Sequence, residues 1–401
     1  MDFVSRLFPE LGFARLIAEA ILLALLGIFL LIAFIVARRW YRGRYFQRLN
    51  ERTFVLRSQW EGILSGTVPA RSWRLKRLDC EIVESILLDN IEMASPQQIP
   101  SLLACLRTSG LLDLRIHQAR TAHGWKRRTA LIALGRTRTP EAVPALAEAL
   151  EAPAEETRIA AVRGLGRTGL WEAAIPILDG LLVGNLKVPE HAVKNALASC
   201  CSDSPKILLR YLKRSAGPAR ELLARVLAEL ATSDLGEDLI LLATDGDSEV
   251  RASAARALGN AQPSFALSVL SVLVQDKEWF VRLRAVVALA SLDHKARIRP
   301  LLHALCDSNR YVRQRAAWAL AKMGSNLDHV LTRVVETHDN YALQAFISEL
   351  ERSGAIDSLV EGLEEDREQG SAGNILLQAL TNCRKKIDQT TQVSAAAAGS
   401  H

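Results

Sequence analysis

Aromatic residues are scarce in this chain. Phe, Trp and Tyr make up 5% of its 401 residues although 49% are hydrophobic, so alanine, leucine and valine supply most of the apolar mass. Alanine and leucine are among the residues that favour the α-helix most strongly. The composition therefore predicts a fold built of helices.

Cysteine motifs are missing as well. None of the six cysteines belongs to a C-x2-C pair or to a spacing typical of zinc ligands. We interpret them as free, buried thiols of a reducing compartment, which excludes a disulfide framework. They are Cys80, Cys105, Cys200, Cys201, Cys306 and Cys383.

Catalytic signatures are also absent, since the sequence contains no H-E-x-x-H, Walker loop or G-x-S-x-G elbow. Gly164–Gly169 matches G-x-G-x-x-G, but a dinucleotide loop needs a strand before it, and these glycines follow a repeated helical segment. Gly166 shares its repeat position with Gly135 and Gly259, which suggests C-terminal helix caps. The sequence predicts a non-enzymatic protein with no catalytic residue, metal, cofactor or small-molecule substrate.

One long apolar run is present, from Ala20 to Ala37, and it holds no charged residue. Eighteen helical residues span about 27 Å, close to the hydrocarbon core of a bilayer at about 30 Å. A buried core helix seldom stays apolar on every side for this length. The run predicts a transmembrane helix over residues 16–37.

Basic residues follow this run directly. Residues 1–78 carry 13 Lys and Arg against 5 Asp and Glu, whereas the rest of the chain carries 37 against 39. Basic flanks stay on the cytoplasmic side, and a cleaved signal peptide would carry its charges ahead of the run. We expect an uncleaved, single-pass anchor in a bacterial inner membrane, with residues 1–15 outside. The residues expected at anionic lipid headgroups are Arg38, Arg39, Trp40, Tyr41, Arg42 and Arg44.

A repeat of 31 residues occupies most of the remaining chain. Three units align without gaps, namely Asp245–Leu258, Asp276–Leu289 and Asp307–Leu320. Steps of 31 from Arg127 to Gln344 give eight units, each completed by a second amphipathic segment. Two helices per repeat, stacked in one dimension, form a solenoid.

The shared pattern, D-x4-V-R-x2-A-A-x-A-L in its fullest form, resembles the HEAT repeats, specifically the short form of bacterial phycobilisome-lyase-like proteins. This resemblance covers about residues 79–387 and implies a right-handed α-solenoid of about 8–9 helix pairs. Together with the apolar run, it predicts an all-α protein in which one N-terminal transmembrane helix precedes the solenoid. An acidic and a basic column are expected to cap helix starts and to join adjacent repeats through charge-assisted hydrogen bonds. The columns are Asp245, Asp276 and Asp307, with Arg251, Arg282 and Arg313.

Segment boundaries follow from these patterns. An irregular stretch, Leu111–Gly124, interrupts the period. The predicted segments are a basic juxtamembrane helix and connector at 38–78, the solenoid at 79–387 with an atypical cap at 79–124, regular repeats at 125–366 and a closing helix at 373–387, and a disordered tail at 388–401 that ends like a cloning scar.

One column of the repeat carries cations at intervals of 31 residues. It lies about 190° from the centre of the apolar face, at 100° per helical residue. In HEAT-like repeats this helix lines the concave surface, so the column predicts either a docking track for an acidic, amphipathic segment or an ordinary solvated face. The column is Arg163, Lys194, Arg225 and Arg256, followed by Val287 and an exposed Trp318.

The leading hypothesis is a membrane-tethered cytoplasmic scaffold that binds a membrane-associated protein. It would be an accessory subunit of an inner-membrane complex, for which a polysaccharide-synthesising glycosyltransferase is one guess. Two alternatives stay open. One is a bilin lyase-like enzyme subunit, implied by the resemblance. The other is a HEAT-like nucleic-acid-binding protein, which the near-neutral charge beyond residue 78 disfavours.

Overall fold

The computed structural model describes residues 9–58, 77–95, 97–323, 327–356 and 381. These ranges contain nineteen α-helices, short 3-10 turns and no β-strand. The chain divides into two compact units, Met1–Gln118 and Ala119–His401. The prediction of an all-α protein is confirmed for the described part of the chain.

The first unit begins with one continuous helix of 50 residues, α1 (Pro9–Ser58). It is followed by α2 (Arg77–Met93), α3 (Ile99–Thr108) and the start of α4 (Leu111–Thr121). The buried core of this unit includes Leu56 of α1 and Leu87 and Ile91 of α2. The expected irregular stretch at Leu111–Gly124 is wrong, because Leu111–Thr121 forms a helix between two glycines at positive φ, Gly110 and Gly124.

The second unit continues with fifteen helices that alternate between two layers. Each odd-layer helix packs against the next odd-layer helix, and each even-layer helix packs against the odd-layer helix that follows it in the chain. The odd layer is α5 (Gly124–Arg136), α7 (Glu155–Thr168), α9 (Glu190–Cys200), α11 (Gly217–Glu229), α13 (Ser248–Ala261), α15 (Trp279–Ser291), α17 (Arg310–Ala321) and α19 (Asn340–Ser353). The even layer is α6 (Val143–Glu148), α8 (Ala174–Val183), α10 (Lys206–Leu212), α12 (Asp238–Ala243), α14 (Ala266–Leu273), α16 (Ile298–Leu305) and α18 (Leu327–Glu336).

A recurring apolar face holds each odd helix in place. In α13 the side chains of Val250, Ala254 and Leu258 are almost fully buried, and they recur at helical spacing. The eight odd helices match the eight units of the 31-residue repeat, so the predicted stack of helix pairs is confirmed. Its right-handed sense stays a prediction.

Glycine lets neighbouring odd helices approach closely. A Cβ atom at Gly135 would lie 2.5 Å from the carbonyl oxygen of Gly164, and one at Gly166 would lie 2.6 Å from the Cα of Ala196. Both glycines lie inside their helices, and α7 is capped by Gly169 at φ +66°. The interpretation of this glycine column as C-terminal caps is therefore wrong, because its role is helix–helix contact.

Several predicted segments lie outside the described residues. They are residues 1–8, most of the connector at 59–76, the closing helix at 373–387 apart from Thr381, and the tail at 388–401. The predicted membrane boundaries stay predictions, although α1 runs without interruption through residues 16–37 and the basic residues that follow.

Candidate functional site

The apolar part of α1 is not covered by any described residue of the first unit. Its most apolar window of 18 residues is 0% buried, and Leu22 and Phe29 are about two-thirds exposed. By length and composition this helix could cross a membrane. The alternative of a buried core helix does not fit a segment without burial.

The basic residues after this run form an exposed collar on the same helix. Arg38, Arg39, Trp40, Tyr41, Arg42 and Arg44 are all exposed. The Arg44 guanidinium lies 4.0 Å from the centre of the Trp40 ring, a cation–π contact that fixes two members of the collar together.

The C-terminal end of α1 is fastened to α2. The Arg52 guanidinium donates to both carboxylate oxygens of Asp79 at 3.1 and 2.8 Å, and Leu56 is buried nearby in sequence. The hydrogen bonds to Asp79 raise the pKa of Arg52 further. Among the described residues of this unit, helix α1 is therefore held at its basic end, while its apolar part is left uncovered.

In the second unit, arginines and aspartates join successive repeats in a ladder of three rungs. Arg251 donates to Asp276 at 2.7 and 3.0 Å, and Arg282 donates to Asp307 at 2.6 and 2.9 Å. Arg220 pairs with Asp245 at the preceding position through a single hydrogen bond from Nη2. Each rung joins residues 25 apart.

Each ladder arginine also binds the backbone before its own helix. Through Nη1, Arg251 donates to the carbonyls of Asp245 and Gly246 at 3.0 and 3.1 Å, and Arg282 repeats this arrangement. Burial by itself raises the pKa of Asp276, but hydrogen bonds from Arg251 and a backbone N–H lower it more, so the net pKa lies below its usual value. The same balance lowers the pKa of Asp307.

The expectation that the ladder aspartates cap helices needs correction. Asp245 accepts the backbone N–H of Asp247 at 3.0 Å, and Asp247 is the N-cap of α13. Asp307 likewise accepts the N–H of Asn309, the N-cap of α17. The ladder aspartates thus order the turn before the helix, and the residue two positions later occupies the cap.

The predicted column of cations lies along the odd layer, but it is not a purely positive stripe. Lys194 and Arg256 both pair with Glu229, at 2.6 and 3.4 Å. Arg225 pairs with Glu190 and, at 3.8 Å, with Glu221. Arg163 is exposed and is the one member with no ion pair among the described residues. Its role in docking stays a prediction.

The column reaches a different environment at Trp318, which is half-buried rather than exposed as the sequence suggests. The Arg315 guanidinium and the Lys322 ammonium each lie 4.0 Å from the centre of its ring. These two cations lie about one helical turn before and one turn after Trp318. Each makes an attractive cation–π contact with its ring.

Trp318 lies in a groove of about 680 Å³ on helices α15, α17 and α19, which we call the C-terminal groove. Exposed rings and cations dominate its walls. Its lining residues are Leu283, Arg310, Tyr311, Arg313, Gln314, Arg315, Trp318, Tyr341, Gln344, Ala345, Ser348, Glu349 and Arg352.

Sequence reasoning did not find most of this groove, because its residues occupy different positions of the repeat. A local signal does exist. Residues 126–278 hold three aromatic residues, whereas the shorter segment 279–346 holds six. In a chain with few aromatic rings, that concentration points to the C-terminal repeats.

The described His, Cys, Asp and Glu side chains bear on whether the chain has a metal site, and its buried cysteines on whether it has an activated thiol. The described residues contain no group of three His, Cys, Asp or Glu placed to hold a metal ion. Burial raises the pKa of Cys200 and Cys201 to about 12, so both thiols are protonated at neutral pH. Cys306, in contrast to the buried position predicted for it, is exposed.

The profile of the HEAT repeats matches residues 112–198 and 266–351 of this chain. The search of curated proteins found no match to this chain.

Among solved structures, the chain is similar to an engineered protein at 20% identity, over 80% of this chain and 99% of that one, with a TM-score of 0.35. It is similar to the complex of CpcE and CpcF of phycocyanin lyase from Nostoc sp. PCC7120 at 21% identity, over 54% and 92%, with a TM-score of 0.24. It is also similar to the structure of Kap95p bound to RanGDP at 16% identity, over 76% and 51%, with a TM-score of 0.39.

Proposed function

Because this chain is a HEAT-repeat solenoid preceded by a long apolar helix, we propose that it is a membrane-tethered scaffold which binds a membrane-associated protein. In this proposal α1 spans a bacterial inner membrane and the repeats lie in the cytoplasm. The protein would serve as an accessory subunit of an inner-membrane complex.

The observation that carries the proposal is the fully exposed apolar part of α1, followed directly by the exposed basic collar. An apolar surface of this length is unfavourable in water and favourable in a bilayer. Cations beside it gain from anionic lipid, at about 1 kcal/mol each.

The solenoid supplies the second support. Stacked repeats expose an extended surface, and a partner can contact residues of several helices along it. Tethering that surface to a membrane raises its effective concentration toward partners in the same membrane without any added contact. A scaffold therefore gains most from such an anchor when its partner is membrane-bound.

Affinity purification of the full chain in mild detergent, followed by mass spectrometry, tests this function. We expect one membrane protein to be recovered reproducibly. A matched version, in which residues 16–37 are replaced by an unrelated transmembrane helix of equal length, is expected to recover the same protein, since the solenoid is the binding surface.

Two results would contradict the proposal. Failure to recover any reproducible membrane protein would remove the scaffold function. Loss of the partner on exchange of the transmembrane helix, with the chain still folded and in the membrane, would assign binding to the helix instead of the solenoid.

A further inference from the structure

Uncompensated cations are concentrated in the C-terminal groove. Among the described residues, the lining cations Arg310, Arg313 and Arg315 have no carboxylate within 4.0 Å, and neither has Lys322, which is not a lining residue but lies against the Trp318 ring. The one acidic lining residue, Glu349, is already bound by Arg352 at 2.7 and 3.1 Å. This differs from the cation column of the preceding repeats, where three of four cations are paired with glutamates.

Arg313 occupies the last arginine position of the ladder, but its rung is incomplete. It donates through Nη1 to the carbonyls of Asp307 and Ser308 at 2.7 and 2.9 Å, as Arg251 and Arg282 do at their own positions. The residue 25 positions later is His338, where the complete rungs have aspartate. The guanidinium is therefore positioned as in a rung, without the carboxylate that completes one.

A second arginine of the groove, Arg315, has a donor atom without a hydrogen-bond acceptor. The Nε atom of Arg315 is buried and has no hydrogen-bond partner. A buried donor without an acceptor costs free energy in the chain without a partner. Arg315 is held by its contact with the Trp318 ring instead.

Aromatic surface lies beside these cations. Tyr311 and Tyr341 are 57% and 71% exposed, and Trp279 lies 6.1 Å from Tyr311 between ring centres. Exposed rings next to arginines are the residue types that dominate the binding energy of protein interfaces.

We propose that the C-terminal groove binds an acidic linear segment of a protein partner. One carboxylate of that segment completes the rung of Arg313 with a bidentate pair, and its apolar side chains lie against Trp318, Tyr311 and Tyr341. The inference rests on the proposed scaffold function and specifies where and by what chemistry the partner is held. Charge complementarity selects an acidic occupant over a neutral or basic one.

The test uses a fluorescein-labelled peptide that repeats the sequence Glu-Glu-Leu-Phe three times, with the full chain in neutral detergent micelles. A matched peptide carries Gln in place of every Glu. Fluorescence anisotropy is expected to show binding of the acidic peptide, with an affinity for the neutral peptide lower by about tenfold or more, because bidentate pairs between arginine and carboxylate are lost. Binding of the acidic peptide weakens as salt rises.

Variants of the chain locate the binding site. Arg313→Gln and Trp318→Ala are each expected to weaken the affinity for the acidic peptide by about tenfold, as for central interface residues. Lys126→Gln is the matched control, because Lys126 is an exposed cation of the odd-layer helix α5, lies outside both the groove and the predicted cation column, and has no ion pair among the described residues; it should leave the affinity unchanged. Since Arg313 also binds backbone carbonyls, Lys322→Gln provides a variant without that structural contact, and unfolding temperatures accompany each measurement.

Three results would overturn the inference. They are equal affinity for the acidic and neutral peptides, equal weakening by Lys126→Gln, or binding that depends on the basic collar of α1 rather than on the groove. If folded groove variants of the full chain recover the membrane partner as well as wild type does, the groove is not the binding site, and the scaffold function is unaffected.

Discussion

The ladder aspartates are the residues on which the stability of the repeats depends most directly. Asp276 and Arg251 are each more than 90% buried as side chains, and together they make two direct hydrogen bonds. Removing one partner of such a pair leaves an uncompensated buried charge. A rung is therefore worth more to the fold than its two hydrogen bonds alone.

We expect Asp276→Asn to lower the free energy of unfolding by about 3–5 kcal/mol at pH 7. Because the pKa of Asp276 is lowered in the folded chain, its stabilisation is full above the unfolded pKa of about 3.9 and is lost as pH falls through the folded pKa. The difference from wild type should therefore shrink toward pH 3. Thermal unfolding followed by circular dichroism measures it.

Asp238→Asn provides the control for this substitution. Asp238 pairs with Lys213 at 3.5 Å, and both side chains are substantially exposed. Its loss should change stability by about 1 kcal/mol or less. An equally large effect for both variants, or a difference that persists unchanged at pH 3, would show that the rung does not act as a buried ion pair.

At the scale of the helix, the glycine column sets how closely the odd helices pack. We expect Gly135→Ala to destabilise the chain by about 1–3 kcal/mol, because its methyl group would overlap the backbone of Gly164 in α7. This outcome runs against the usual gain of about 1 kcal/mol when alanine replaces glycine inside a helix. Chemical unfolding of the two chains measures the difference.

Gly246→Ala is the matched control, since a Cβ atom there meets nothing within 4 Å and the residue has no positive φ. It should be close to neutral. If Gly135→Ala raised stability instead, the close approach of α5 and α7 would not be a requirement of the fold.

The elements differ in how well the sequence predicts them. The odd helices follow from the period of 31, because each repeat must bury the same face against its neighbour. Helix α4 falls outside that period, so the repeat does not predict it. Its residues Leu111, Leu112 and Ala119 are nevertheless buried at helical spacing. In α1, the change from apolar to basic residues after Ala37 predicts a segment boundary. The backbone nevertheless continues as one helix to Ser58, because no proline interrupts it there.

The candidate site was harder to predict than the fold. The column from Arg163 to Trp318 follows from arithmetic on the repeat, but the glutamates that neutralise it occupy other positions in neighbouring helices. The C-terminal groove combines three helices through residues that do not recur. A repeat pattern describes what successive units share, whereas a binding site here depends on what one unit does not share with the others.

At the scale of the whole molecule, the charge is divided between an N-terminal segment at net +8 and a remainder at net −2. That division carries a prediction about orientation. Replacing Arg38, Arg39, Arg42 and Arg44 with Glu should increase the fraction of chains whose solenoid is digested by protease added outside bacterial spheroplasts. The reason is that basic flanks hold the C-terminal side of the helix in the cytoplasm.

The control replaces four arginines of the repeats with glutamate and should leave protease protection intact, because those charges do not flank the apolar run in the sequence. If the collar variant stayed fully protected from protease, the basic collar would not determine the orientation of α1. Release of the wild-type chain into the soluble fraction by alkaline carbonate would contradict a membrane-spanning α1.

The 25-residue reach of each ladder rung also bears on how the chain assembles during synthesis. A rung closes between neighbouring repeats, so no repeat has to wait for a distant part of the chain before it forms. Topologies with such local contacts fold quickly, and repeats can add to a growing stack one after another. The order in which the ribosome delivers the repeats is thus also the order in which they can dock, and a chain truncated late in the sequence would lose its final repeats while keeping those already in place.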